Sequence, residues 1–142
     1  MTTQEGFITD LRVWDIRPIP GHDLWLTQYP LEYYSPALKR KIVVPAGYRT
    51  DLASIPKWGH IIMHPASKEI RVAAVIHDRC YTDLNDQMTR AEADLVLREA
   101  MGFVPSPAPK WQRYVVWMFV RCSFRSRGYW EKYQDLKAKV DE

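Results

Sequence analysis

The chain is expected to fold as an α+β domain, with an N-terminal antiparallel β meander packed against a C-terminal set of three to four helices. Three observations predict this. Short apolar segments punctuated by turn residues fill the first part, up to about Pro56. From Ser67 onward the apolar spacing changes to three and four residues, the period of a helix. Finally, 142 residues with 46% hydrophobic and 26% charged content suit a single domain, 1–142, mainly β over 1–58 and mainly α over 67–142.

The first strand is placed over Phe7 to Ile16, on apolar residues Phe7, Leu11, Val13 and Trp14. Pro20-Gly21 signals a turn ahead of a second strand at Leu24-Trp25-Leu26. Leu31 to Tyr34 and Lys41 to Val44 form the next pair, separated by Ser35-Pro36-Ala37-Leu38. Pro45-Ala46-Gly47 then supplies a turn or bulge before Tyr48-Arg49-Thr50-Asp51, because proline removes a ladder donor and glycine permits positive φ.

In the helical part, Ile70, Ala73, Ala74, His77 and Tyr81 share one face. Thr89-Arg90-Ala91-Glu92 reads as a capping box, so a helix starts near Arg90 and ends about Met101, where Gly102 can cap it. Pro105 to Pro109 forms a stiff connector, a third helix runs roughly from Lys110 to Phe124, and Gly128 leads to a last helix reaching about Val140. The apolar run Tyr114 to Val120 lies between Arg113 and Arg121 and is far short of the roughly 20 residues of a membrane span.

Composition narrows the function classes. A net charge of +3, with basic residues dispersed except at Lys39-Arg40-Lys41 and from Arg121 to Arg127, allows nucleic-acid binding without indicating it. The polar start Met1-Thr2-Thr3-Gln4-Glu5 has no signal-sequence pattern, so a cytoplasmic site of synthesis is expected. Cys80 and Cys122 are expected as free, buried thiols, although one bridge between them is arithmetically open.

The chemistry is concentrated in His77 and Asp78 on one helix and Asp94 on the next. The short loop from Thr82 to Met88 suits an antiparallel helix pair, which brings Asp94 within reach of His77. A carboxylate that accepts one imidazole N–H fixes the tautomer and leaves the other nitrogen to take a proton from water. With Asp51 at the end of the last strand, the set Asp51, His77, Asp78 and Asp94 offers one nitrogen and several carboxylate oxygens. That donor set suits calcium, magnesium or manganese, and also zinc with a water ligand.

Two resemblances meet on these residues. His77-Asp78-Arg79-Cys80-Tyr81 resembles the HDxCY signature of the phospholipase A₂ catalytic helix, and Ala91 to Met101 resembles its partner helix. The resemblance implies that His77 activates water, Asp94 orients it, Tyr81 hydrogen-bonds the dyad and Asp78 ligates calcium. The glycine-rich calcium loop is missing, and alanines replace the cysteines that staple that second helix. A wider set of motifs, Val44 to Pro56, Ala73 to Tyr81, Ala93-Asp94 and Ala100-Met101, resembles the domain-of-unknown-function family thirteen fifty-three, found in tailed bacteriophages and prophages. It implies a phage setting, with phage structural proteins or a host-envelope component as partners, synthesis in the host cytoplasm and a place in the virion. It also marks Thr50 to Ser54 as a third arm of the site.

Plainer roles are open for each residue. His77 can be a satisfied core histidine, Asp78 a helix cap or a partner of Arg71 or Arg79, and Asp51 the pivot of an Asx-type turn. His60 and His64 lie four apart, but Pro65 disfavours helical geometry there, and His22 follows a turn. The dense aromatics from Trp111 to Tyr133 read as core and protein contact; the arginines among them also fit a single-stranded nucleic-acid surface. The expected function is a metal-assisted hydrolase for a host-envelope ester or amide, with catalytic His77, Asp94 and Tyr81, and with calcium or zinc on Asp78 and Asp51. The alternatives are a non-enzymatic virion or tail-assembly component and a host-directed binding protein.

Overall fold

The computed structural model describes residues 5–12, 14–21, 24–50, 68–104 and 109–141. Among the described residues six strands come first: β1 Gly6–Phe7, β2 Ile16–Pro18, β3 Trp25–Thr27, β4 Leu31–Ser35, β5 Arg40–Val44 and β6 Arg49–Thr50. Four helices follow among the described residues: α1 Lys68–Thr82, α2 Arg90–Ala100, α3 Lys110–Cys122 and α4 Phe124–Asp141. The α+β layout is as expected, and all pairings are antiparallel.

The strands divide between two sheets, ordered β1-β4-β5 and β2-β3-β6. The segment expected as one strand from Phe7 to Ile16 is split between them. Its middle turns at Asp10, whose carboxylate accepts the Arg12 backbone N–H at 3.0 Å and also binds the Arg12 guanidinium. Local side-chain bonding of this kind competes with a strand ladder. Beyond the turn, Trp14 is fully buried and its indole N–H reaches the Tyr29 carbonyl at 3.1 Å.

The β4-β5 hairpin pairs Leu31 with Val44 and Tyr33 with Ile42, and all four are fully buried. Alternation along both strands turns these residues inward and Glu32, Lys41 and Val43 outward. In the second sheet Thr27 ties down the turn after β5. Its hydroxyl donates to the Pro45 carbonyl and accepts the Tyr48 N–H, both at 2.9 Å, while Gly47 N–H bonds the Thr27 carbonyl at 2.8 Å. Gly47 has φ +81°, which L side chains rarely adopt, so the expected glycine turn is present.

α1 is the central element. Every residue from Val72 to Asp78 is buried, more than the single face the spacing suggested. The helix is covered on several sides, by β5, α2 and α4. The capping box at the start of α2 forms as read: Glu92 N–H bonds the Thr89 hydroxyl and the Glu92 carboxylate accepts the Thr89 N–H.

The last two helices divide at Ser123, whose extended backbone (φ −76°, ψ 124°) interrupts the helical run, and Gly128 lies inside α4. The aromatics there are less buried than expected. Trp130 is in the core, whereas Trp111, Tyr114 and Phe124 are exposed, and α3 buries Val116 and Val120 instead. Both cysteines are free, with Cys80 buried but Cys122 exposed. No described helix is long and apolar enough to cross a membrane.

Candidate functional site

The site is assembled where α1, α2 and α3 meet. His77 lies in the middle of α1 with no exposed surface, and its ring packs on Tyr81, one turn later, with centroids 4.4 Å apart. Asp94 faces it from α2, equally buried. The His77 Nε2 and Asp94 Oδ1 are 2.8 Å apart, and the Tyr81 hydroxyl donates to the same oxygen at 2.5 Å. From the end of α3, Arg121 donates through Nη1 to Asp94 Oδ2 at 2.9 Å.

Arg121 is itself held in place. Arg90 donates to the carbonyls of Val120 and Arg121 at 3.0 and 3.1 Å, satisfying acceptors that a helix end leaves open. Trp130 of α4 meets the Tyr81 ring edge-on at 5.1 Å. Four helices thus contribute to the surroundings of one carboxylate.

Burial is the largest influence on Asp94 and on its own would raise the carboxyl pKa. The hydrogen bond and charge of His77, joined by Tyr81 and Arg121, outweigh it and hold the group below the usual carboxylate range. Asp94 is therefore an ionised acceptor at neutral pH, so in the neutral imidazole the proton sits on Nε2. Nδ1 then carries the lone pair, and it has no hydrogen-bond partner among the described residues. Tyr81 remains a phenol, since burial and then the charge of Asp94 push its pKa far up.

A carboxyl lowered in the folded state contributes stability that is fully present above its unfolded value, about 3.9, and is lost as the pH falls through the folded value. In melts between about pH 5 and pH 2 the native chain should therefore lose more stability than Asp94→Asn, which cannot titrate there. Parallel acid profiles would show that Asp94 is not held low.

Asp78 is nearly buried, and the Tyr48 hydroxyl lies 3.2 Å from its Oδ2. That hydroxyl is only 2.6 Å from the Thr82 Oγ1, and Thr82 donates to the Asp78 carbonyl at 3.0 Å. The Tyr48 hydroxyl thus donates to Asp78 Oδ2 and meets the Thr82 hydroxyl beside it. Burial, then the Asp78 charge, keeps Tyr48 protonated. Arg79, one of the two partners open to Asp78, instead pairs with Asp83 and donates to the Val43 carbonyl at 3.1 Å. The Cys80 thiol, pushed up to about 12 chiefly by burial, is not a nucleophile near neutral pH.

The structure thus brings together His77, Asp94 and Tyr81, with Asp78 next along α1. Asp51 lies outside the described residues, as do His22, His60 and His64. Among the described residues no group of three or more His, Cys, Asp or Glu side chains is placed to hold a metal ion. These residues supply the Asp78 carboxylate but no cation cage.

Sequence reasoning missed Arg121, Arg90, Tyr48 and Thr82. Arg121 and Arg90 act 27 and 30 residues away from their partners, a separation at which local spacing carries no signal. Tyr48 and Thr82 meet across 34 residues in the same way.

Comparison with curated proteins and with solved structures returns no match. The family model described as "Protein of unknown function (DUF1353)" matches residues 25–120. That stretch takes in Tyr48, His77, Asp78, Tyr81 and Asp94 and stops just before Arg121. Matching well over half of the sequence, it shows that the chain belongs to this family.

Proposed function

We propose that the chain is a phage-associated hydrolase in which His77 activates water for attack on an ester or amide of the host envelope. The observation that carries this reading is the buried Nδ1 of His77, without a partner among the described residues, opposite a nitrogen fixed by an ionised acid. Leaving a buried polar atom unpaired costs about 1 to 3 kcal/mol, which a purely structural network avoids and a proton-accepting base requires.

In this reading water gives a proton to Nδ1 as its oxygen attacks the carbonyl carbon. Asp94 balances the imidazolium that forms, and the proton passes to the leaving alcohol or amine when the tetrahedral intermediate collapses. Tyr81 and Arg121 position Asp94. Asp78 supplies one carboxylate beside the dyad, and Asp51 would supply a second; calcium or zinc held there would polarise the carbonyl. The dyad chemistry is complete without it. Synthesis in the host cytoplasm and incorporation into the virion belong to the same proposal.

The complete burial of His77 favours a second reading, a non-enzymatic virion or tail-assembly component in which the network fastens three helices together. Incubating the full chain with phosphatidylglycerol vesicles and with peptidoglycan, then measuring released fatty acid and new amino groups, separates the two. Product from either substrate is expected. Absence of product from both, with and without added calcium or zinc, would remove the hydrolase reading. A rate lost to chelator and restored by either ion is expected for a cation at Asp78 and Asp51. An unchanged rate keeps the dyad and removes the cation.

A further inference from the structure

A groove of about 370 Å³ lies between α2, the first turns of α3 and the β4-β5 turn. Its lining includes Arg98, Lys110 and Arg113, with Glu99 as its acid and Tyr114 as its aromatic wall. Glu99 is already committed. One of its oxygens accepts the Tyr33 hydroxyl at 2.5 Å and the other the Ala37 N–H at 3.0 Å.

The three cations are not engaged in this way. Among the described residues none of them forms a hydrogen bond or ion pair with an acid, and the buried Nε of Arg113 has no partner. Both guanidiniums nevertheless lie close against the groove's own walls. Arg98 lies over the rings of Tyr114 and Trp117, at 4.5 and 4.7 Å from their centroids. Arg113 lies over Gly102, where an added Cβ would come within 2.2 Å of Nη1. Pro109, at the N-cap of α3, has no side chain able to cap it, and among the described residues no cap is made, which leaves positive potential at the helix start.

We propose that this groove binds a phosphoryl group. Two oriented guanidinium forks, an ammonium and a helix start supply donors from several directions, which a tetrahedral anion uses better than a planar carboxylate does. The site is separate from the dyad and does not rest on the hydrolase reading. The phosphoryl group can belong to a soluble phosphomonoester or to a lipid headgroup.

The test is calorimetric titration of the full chain with glycerol 3-phosphate, paired with co-sedimentation on phosphatidylglycerol and phosphatidylcholine vesicles. Binding in one arm or both is expected, the vesicle arm showing preference for phosphatidylglycerol. Lys110→Gln should weaken binding roughly fivefold or more, whereas Arg125→Gln, with the same charge change on exposed α4, should not. Gly102→Ala is the more searching variant, because its methyl displaces the Arg113 guanidinium without altering charge, and a roughly fivefold loss is expected again. Lys110 is exposed, so its variant remains informative even if Gly102→Ala misfolds. A response confined to glycerol 3-phosphate identifies a soluble ligand, and one confined to phosphatidylglycerol identifies a headgroup. No binding in either arm, equal weakening by Arg125→Gln, or unaltered binding by folded Gly102→Ala would overturn the proposal.

Discussion

Asp94→Ala is expected to lower the stability of the fold by about 3 to 5 kcal/mol, the usual consequence of removing one member of a buried ion pair. The reasons are local. Three donors converge on this carboxylate, from His77, Tyr81 and Arg121, and the first two have little access to compensating water. Arg121 is partly exposed and can rehydrate, which places the result toward the lower end of the range. For a domain near this size each kcal/mol shifts the melting midpoint by about 2 to 4 °C, so a fall of roughly 10 °C is expected in thermal melts. Asp94→Asn keeps the shape but presents an amide N–H₂ to the Arg121 guanidinium, and should lie between the alanine variant and the native chain. A melting midpoint for Asp94→Ala within 2 °C of native, on the scale of about 2 to 4 °C per kcal/mol, would mean that the network contributes little.

If the proposed hydrolase function holds, His77→Ala is expected to reduce hydrolysis by about 10² to 10⁴-fold, the range for loss of a positioned general base. Its stability should fall too. The ring is fully buried, so deleting it leaves a cavity and takes one donor from Asp94, at a cost of about 2 kcal/mol or more. Melting temperature therefore does not separate the catalytic reading from the structural one. A stability-matched control does. Val96→Ala removes fully buried apolar volume from α2 and should cost about 1 to 3 kcal/mol without removing the base. Assayed well below both melting midpoints, Val96→Ala should keep most of its rate while His77→Ala loses nearly all of it. Equal losses in the two variants would assign His77 to the scaffold.

The dyad and its tyrosine were legible in the sequence because each half of the geometry is local. His77 and Tyr81 are one helical turn apart, and a capped helix after a short loop brings Asp94 opposite them. The hairpin of β4 and β5 was legible for the same reason, through alternation on both sides of a turn. Division of the strands into two sheets was not, because the β3-β6 pairing spans more than twenty residues and the Asp10 turn depends on a side chain that also occurs in strands. The depth of α1 was underestimated because Val72, Val75 and Asp78 fall off the single face that an amphipathic pattern marks. Arg121 was read with the surface arginines of its region. What distinguishes it is the buried acid it meets, which no spacing in the sequence displays.

Nδ1 of His77 is the atom on which the proposed chemistry rests, and ¹⁵N NMR of the imidazole at a pH where the ring is neutral reads it directly. The proton is predicted on Nε2, coupled to the Asp94 hydrogen bond, with Nδ1 showing the shift of an unprotonated, lone-pair nitrogen. A proton found on Nδ1 would contradict this, since that nitrogen would then have no lone pair with which to take a proton from water.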